Sequence, residues 1–460
     1  MSQYQFSSLS LKPLLLSNVE SLGFNSMTAI QAKSLPLILD GKDVIAQGQT
    51  GSGKTAAFGL GLLNKLDTKS FHVQSLVLCP TRELADQVSI EIRRLARLIP
   101  NVKVLTLFGG TPLKAQAASL EKGVHIVVGT PGRIEDLLNK QLLKLDQLNT
   151  LILDEADRML DMGFEKTLEA IIDLLPSQRQ TLLFSATYPK QIEQMARDIT
   201  RNPVEAKVAP TQDTVRIDQV FYQVDNEKHR LEALQLLLLQ EGAHQAVVFC
   251  NTRQDTQSVA GGLKSAGFSA AALHGDMEQK DRDQTLIRFS NNSLKVLVAT
   301  DVAARGLDIE SLDLVLNYHL PRELEVYTHR IGRTGRAGAK GKAFSLFQAS
   351  EKFRVEKLEG YLQEQVDQKE LPIDALLEHS PSRPDMSTLR VEGGKKQKLR
   401  PGDLVGALTK GEEIMGSQIG KIQVMDNWAY LAIERVVAKT ALNKLSNGKI
   451  KGKSFRAKLI

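Results

Sequence analysis

The sequence predicts an α/β protein: two tandem lobes, each a parallel sheet covered by helices on both faces, followed by a small α+β domain. Three observations predict this. Short Val/Ile/Leu runs alternate with helical segments through most of the chain. Four of those runs recur, in the same order, about 170 residues further on. The last eighty or so residues have a charge and an element pattern of their own.

The alternation comes first. Stretches such as "DVIA" before Gly48, "SLVLC" ending at Cys79 and "LILD" ending at Asp154 are short and nearly continuous in apolar residues. Such runs suit strands buried on both faces, and strands separated by helices form parallel sheets. Parallel sheets present ligands at the carboxyl ends of their strands. The loops that follow the apolar runs are therefore where chemistry is expected.

The repeat comes second. "QSLVLCPTRELADQV" (Gln74 to Val88) aligns without gaps on "QAVVFCNTRQDTQSV" (Gln245 to Val259), an offset of 171. "LFGGT" (Leu107 to Thr111) matches "LHGDM" (Leu273 to Met277) at 166, and "HIVVGTPGR" around Thr130 matches "KVLVATDVAARG" around Thr300 at 170. "LILDEAD" corresponds loosely to "LVLNYHLP", Leu314 to Pro321. Any one pair can arise by chance between buried strands; four in register argue for two copies of one unit.

The tail comes third. From Arg383 to Ile460 there are 16 Lys/Arg against 7 Asp/Glu, a balance of +9, while the remainder of the chain stands at −3. That is the footprint of a nucleic-acid-binding appendage, or else of a solvated basic tail. Its pattern favours a folded module. "STLRVEGGKK" reads as a strand, "RPGDLVGALTKG" as a helix, "IGKIQVMD" and "WAYLAIER" as strands, "VVAKTALNKLS" as a helix and "GKIKGKSFRAKLI" as a last strand. This β-α-β-β-α-β order is that of an RNA-recognition motif. The expected boundaries are 1–207 and 208–368 for the lobes, 369–384 for a linker and 385–460 for the appendage.

The chemistry begins at "GQTGSGKT", Gly48 to Thr55. The pattern G-x-x-x-x-G-K-T turns backbone N–H groups toward phosphate oxygens, sends Lys54 to the β/γ-phosphates and offers the Thr55 hydroxyl to Mg²⁺. The alternative, a flexible Gly/Ser linker, fits poorly between a strand and an apolar-faced helix. About a hundred residues on, "LILDEADRML" places Asp154 and Glu155 at a strand end. Asp154 suits the second magnesium carboxylate, and Glu155 suits orientation or deprotonation of the attacking water. The second copy has no phosphate loop, so one nucleotide site is expected, completed by the other lobe. "YTHRIGRTGRAG" (Tyr327 to Gly338) offers the completing charge: arginines at 330, 333 and 336. Arginines supplied to a phosphoryl-transfer transition state accelerate it by roughly a thousandfold or more. Taken alone, the stretch also reads as a solvated RG-rich loop.

The two cysteines, Cys79 and Cys250, exclude a disulfide framework and fit a reducing compartment. The N-terminal stretch lacks the basic and apolar regions of a signal peptide, and no apolar run approaches the ~20 residues of a membrane span. A cytoplasmic monomer with no membrane partner is expected.

Together these residues resemble the DEAD-box RNA helicases of superfamily 2, over about Phe6 to Phe347. The resemblance implies the following roles. "GFNSMTAIQ" (Gly23 to Gln31) is similar to the adenine-reading Q motif, with Phe24 stacking on the base and Gln31 bonding its edge. The phosphate loop Gly48, Gln49, Thr50, Gly51, Ser52, Gly53, Lys54 and Thr55 would hold ATP. Two positions depart from the family: Met27 stands where proline is usual and Gly48 where alanine is. Neither removes a phosphate or base contact. Pro80, Thr81 and Arg82, Gly110, and Thr130, Gly132 and Arg133 resemble first-lobe RNA-backbone motifs. Arg253, Gly275, Gln279, Arg282 and Thr300 resemble those of the second lobe. Such groups suit phosphate and ribose without reading bases. Ser185 and Thr187 resemble the motif linking ATP state to RNA grip, and His329 would couple the lobes. Asp308 would approach the ribose, and Arg333 and Arg336 match arginine fingers.

The tail resembles the RNA-binding domain of the bacterial DbpA subfamily, which implies recognition of a 23S rRNA hairpin and a role in large ribosomal subunit assembly. Trp428 and Tyr430 fall where stacking aromatics of the third strand would lie, with core packing the alternative for Trp428. Lys395, Lys396, Lys398 and Arg400, with Lys449, Lys451 and Lys453, are the other candidates for RNA contact. The expected function is an ATP- and Mg²⁺-dependent RNA helicase. A DNA translocase, separable by a 2′-deoxy substrate, and a non-hydrolysing ATP-gated RNA clamp, separable by an ATPase assay, are the rivals.

Overall fold

The computed structural model describes residues 4–48, 51–208, 217–304, 312–335, 341–411 and 413–460. The chain divides into two compact units at 213/214. Among the described residues, the first unit holds one seven-stranded sheet, whose strands are β1 (Val44–Gln47), β2 (Ser75–Leu78), β3 (Val104–Leu107), β4 (Ile126–Gly129), β5 (Thr150–Asp154), β6 (Gln180–Ser185) and β7 (Val204–Lys207). Its order is β3-β4-β2-β5-β6-β1-β7, with every pairing parallel.

The pleat sorts side chains onto the two faces of this sheet. Val77, Ile152, Leu182 and Phe184 join one buried cluster with the helices Ala29–Leu39, Lys54–Lys65 and Arg82–Leu95. Their neighbours Leu76, Leu78, Leu151, Leu153 and Leu183 join a second cluster on the other face. Two apolar cores explain why the strands read as unbroken apolar runs.

The second unit holds a sheet of β8 (Ile217–Val224), β9 (Ala246–Cys250), β10 (Ala270–Leu273), β11 (Val296–Thr300), β12 (Leu314–Asn317), β13 (Gly341–Gln348) and β14 (Asp367–Lys369). The order is β10-β11-β9-β12-β13-β8-β14. Counted from the first strand of each unit, the two orders are identical. Each pair of aligned stretches falls on equivalent strands: β2 with β9, β3 with β10, β4 with β11, β5 with β12. The internal repeat is a repeat of topology.

The C-terminal module, also in the second unit, has β15 (Met386–Val391), β16 (Ile419–Val424), β17 (Ala429–Glu434) and β18 (Ala457–Leu459) in the antiparallel order β16-β17-β15-β18. Helices Pro401–Thr409 and Ala438–Asn447 cover one face, where Leu389, Val391, Leu431 and Ile433 meet Leu404, Leu408, Ala441 and Leu445. Alternation sends Thr388, Arg390 and Tyr430 to the opposite face. That face is also covered. Thr388 is fully buried, and its hydroxyl bonds Ser293 Oγ at 2.7 Å and accepts from Asn291 Nδ2 at 3.2 Å. Lys421 Nζ donates to Ser290 Oγ at 2.8 Å. The sheet face is thus packed against the end of the lobe helix Gln279–Ser290 and the turn after it. Among the described residues, no helix is long and apolar enough to cross a membrane.

Candidate functional site

The phosphate loop leaves β1 and enters the helix Lys54–Lys65. Gly51 and Gly53 take φ of +83° and +92°, a region side chains rarely adopt. A Cβ on Gly53 would also lie 2.5 Å from Gln31 Nε2. The loop is held on three sides. Gly48 N–H donates to Ser185 O at 3.1 Å, Lys54 Nζ to Gly48 O at 2.8 Å, and Thr28 Oγ1 to Ser52 O at 2.7 Å. Gln31 closes a capping box with Thr28 and donates from Nε2 to Gly53 O at 3.1 Å. Gln31 therefore ties the Q motif to the phosphate loop, a second use of a side chain expected to read the base.

Asp154 ends β5, and Glu155 follows at φ +52°, ψ +52°, a left-handed residue that caps the short helix Ala156–Asp161. Both carboxylates are buried, at 3% and 7% exposure. Burial pushes Asp154 up to about 7, with the Glu155 charge adding and the Lys54 charge opposing. Asp154, Glu155, Lys54, Thr55, Gly51, Gly53, Gln31 and Phe24 line one cavity of about 370 Å³. Gln49 and Thr50 lie outside the described residues.

Asp157, the last letter of DEAD, has a role that no motif spacing indicates. Its Oδ2 accepts from Thr187 N–H at 2.9 Å and Thr187 Oγ1 at 2.8 Å. Burial raises its carboxyl, but these bonds and the Arg158 charge more than offset that and hold it below its ordinary value. Ser185 Oγ donates to Thr187 O at 2.6 Å. The carboxylate loop and the SAT loop are thus one hydrogen-bonded unit.

The first-lobe RNA candidates gather at the carboxyl ends of β2, β3 and β4. Thr81 caps the helix Arg82–Leu95. The Arg82 guanidinium lies against Gly109, close enough that a Cβ there would come within 3.2 Å. Arg133 donates to Gln116 Oε1 at 2.6 Å and Thr111 O at 3.2 Å, so it braces the glycine loop that carries Gly110. Pro80 is buried, Thr130 half-buried, and Gly132 open to solvent. In the second unit, Arg253, Gly275, Gln279, Arg282 and Thr300 follow β9, β10 and β11 in the same arrangement. Arg253 pairs with Asp276, Gln279 Nε2 donates to Asp283 Oδ1 at 2.8 Å, and Arg282 Nη1 to His274 O at 3.2 Å.

Arg330 and Arg333, the two described arginines of the RG stretch, differ in setting. Arg330 is 2% exposed and pairs with Asp301 through Nε at 2.6 Å and Nη2 at 2.8 Å. It also donates to Asn251 Oδ1, Asn317 Oδ1 and His319 O. It is an internal strut joining the ends of β9, β11 and β12. Arg330→Ala would empty a fully buried position and take the partner from the half-buried Asp301 and from Asn251 and Asn317; it is expected to cost about 3 kcal/mol, read as a lowered thermal transition of the full chain. Arg333 and His329 are half-buried on the same segment. Arg336 and Asp308 lie outside the described residues.

In the C-terminal module the structure corrects one expectation. Tyr430 is 4% exposed and does not offer its ring for stacking, because its sheet face is the docked one. Trp428, in the turn just before β17, is half-buried, with the Arg390 guanidinium 4.4 Å from its ring centroid. The basic runs are brought together instead. Lys451 Nζ donates to Lys398 O at 3.3 Å and pairs with Asp403 at 3.2 Å. Phe455 packs over Gly393, where a Cβ would meet its ring at 2.5 Å. Lys395, Lys396, Lys398, Arg400, Lys449, Lys451 and Lys453 are all exposed on this joined surface.

Comparison with known proteins agrees with this geometry. Residues 28–195 match the DEAD/DEAH box helicase family, 229–338 the helicase conserved C-terminal domain and 388–459 the DbpA RNA binding domain. The chain is 50% identical over 456 residues to the ATP-dependent RNA helicase DbpA of Escherichia coli, covering 99% of both chains. It is 39% identical to the Bacillus subtilis protein of the same name, covering 96% of both. Among solved structures, S. cerevisiae Dbp5 bound to RNA and ADP BeF3 superposes with a TM-score of 0.72 at 29% identity, over 82% of this chain and all of that one.

Proposed function

This chain belongs to the DEAD-box family of ATP-dependent RNA helicases and carries its DbpA RNA-binding domain; from that premise we propose how its residues divide the work. The lobes are residues 1–207 and 208–368, the linker 369–384 and the RNA-recognition module 385–460. Phe24 and Gln31 take the adenine, Gly48 to Thr55 take the phosphates, and Glu155 orients the attacking water. Arg333 and Arg336 supply positive charge to the γ-phosphoryl group, and Asp308 meets the ribose. Ser185, Thr187 and His329 couple nucleotide state to RNA grip.

The donor set suits magnesium. Thr55 offers a hydroxyl, and Asp154 is a buried carboxyl pushed up to about 7, chiefly by burial, whose ionisation a dication would favour. Thr55 and Asp154 would hold the ion, which would supply positive charge to the phosphates. The RNA strand is held by sugar and phosphate contacts from the two sets of strand-end loops, which carry no sequence information.

Target choice then falls to the C-terminal module, and the joined basic surface carries that reading. The RNA is a 23S rRNA hairpin in the large-subunit precursor, and the protein acts as a cytoplasmic monomer. The test is ATPase activity across 23S rRNA fragments. Hydrolysis with one hairpin-containing fragment is expected to saturate at far lower RNA concentration than with unrelated RNA of equal length. Equal half-saturation for all fragments contradicts the targeting role.

A further inference from the structure

Glu91 lines the nucleotide cavity beside Phe24, yet it belongs to none of the motifs read from the sequence. It lies on the helix Arg82–Leu95, one turn before Arg94, and pairs with Arg94 Nη1 at 3.3 Å. The Arg94 guanidinium in turn sits 5.4 Å from the centroid of the Phe24 ring. We propose that Arg94, steered by Glu91, is a positioning residue that sets the Phe24 ring for the base of ATP. This rests on the reading of the cavity as the ATP site.

Three features make this more than a surface contact. Phe24 needs a brace. It sits on a loop between two helices and is half-buried, with Phe6 stacked at 6.2 Å and 26° as its inner neighbour. A stacking ring that swings between rotamers loses part of its binding free energy to ordering. A guanidinium over an aromatic face is attracted by the ring quadrupole.

The brace is also anchored. The Asn18 side-chain amide, fully buried, donates to Arg94 O at 3.0 Å and Leu95 O at 2.8 Å. Arg97 Nη2 donates to Ser21 Oγ at 2.8 Å, and Phe24 N–H to Val19 O at 3.2 Å. The helix end and the segment leading to Phe24 are tied at three places, so Arg94 and Phe24 keep one relative position.

Finally, Glu91 fixes the choice of rotamer. Arg94 is 47% exposed, and an arginine that free has several conformations open to it. The carboxylate one turn earlier, at 25% exposure, selects the one that reaches the ring. An exposed pair of this kind adds little stability; its effect is orientation. The physical order is Glu91, Arg94, Phe24, base.

The test uses the full chain with saturating RNA. Arg94→Ala is expected to raise the KM for ATP by about threefold to tenfold, the size of one exposed cation–π interaction together with the ordering it provides, with kcat unchanged. Inhibition by tripolyphosphate, which has no base, should be unaltered, because the phosphate loop is untouched. Arg94→Lys should recover part of the loss. Glu91→Gln should raise KM less, and combining it with Arg94→Ala should add nothing. A KM within a factor of about 1.5 of the parent, or a matching loss of tripolyphosphate binding, overturns the inference. Phe24→Ala separates it from the reading beneath. If Phe24→Ala raises KM and Arg94→Ala does not, only the positioning role fails. If Phe24→Ala leaves KM unchanged, the cavity is not the base site and both fail.

Discussion

Lys54→Ala is expected to abolish ATP turnover, and Glu155→Gln to keep ATP bound while stalling hydrolysis. The two outcomes follow from one electrostatic arrangement. Lys54 is the cation that opposes the burial of Asp154, whose carboxyl already stands at about 7. Removing it deletes a charge from the phosphates and also moves Asp154 further up. Asp154 is then more protonated at neutral pH and a poorer partner for a magnesium ion. Two contributions removed together justify an expectation of roughly a thousandfold or more in turnover. The loop should survive, because the bonds from Gly48 to Ser185, Thr28 to Ser52 and Gln31 to Gly53 do not involve the lysine side chain.

Glu155→Gln works in the opposite sense on Asp154. The Glu155 charge helps to raise that carboxyl, so its removal brings Asp154 down and leaves ion and nucleotide binding intact. What is lost is the carboxylate able to orient or deprotonate water. Glutamine keeps the length of the side chain, so the left-handed backbone at this position is not asked to accept a new shape. Equilibrium binding of a fluorescent ATP analogue, beside single-turnover hydrolysis with RNA, separates the variants: Lys54→Ala should fail in both and Glu155→Gln only in the second. Hydrolysis by Glu155→Gln near the parent rate contradicts its role.

Much of this arrangement was legible in the sequence because it is local. A phosphate loop, a strand-end carboxylate pair and two sets of repeated strands are each contained in a few consecutive residues, and the constant offsets carried the topology. Long-range partnership was not legible. Arg330, Arg333 and Arg336 look equivalent by spacing. Arg330 is an internal strut because Asn251, Asp301 and Asn317, distant in sequence, converge on it. Asp157 meets Thr187 thirty residues away. Strand β14 is three exposed polar residues, Asp367–Lys369, with no apolar signal to mark it. The pleat put Thr388, Arg390 and Tyr430 on one face, but nothing local says what covers a face. That omission led to a stacking role for a tyrosine that is buried.

The docked sheet also decides how the C-terminal module should be tested. Cutting the module away would bare Asn291 and Ser293, so a fall in activity would mix weakened RNA binding with a damaged lobe. Neutralising the basic surface avoids this. Lys395, Lys396, Lys398, Lys449 and Lys453 are exposed, and no hydrogen bond or ion pair of their side chains appears among the described residues. Lys451 is best kept, since it pairs with Asp403 and donates to Lys398 O. Changing those five to serine should leave the fold and the basal ATPase activity with unstructured RNA near the parent level, because the core loops that hold sugar and phosphate are unchanged. Affinity for a 23S rRNA hairpin should fall by at least about a hundredfold, the effect of losing only two charge-assisted hydrogen bonds at roughly 1.5 kcal/mol each. The dependence of log K on log salt should flatten by about 0.7 for each single-strand phosphate that is no longer neutralised. Tyr430→Ala, which opens the docked face and leaves the basic surface alone, should hardly change hairpin affinity. The opposite pattern, with the five lysines silent and Tyr430→Ala severe, would place the RNA on the sheet and require the module to leave the lobe before it binds.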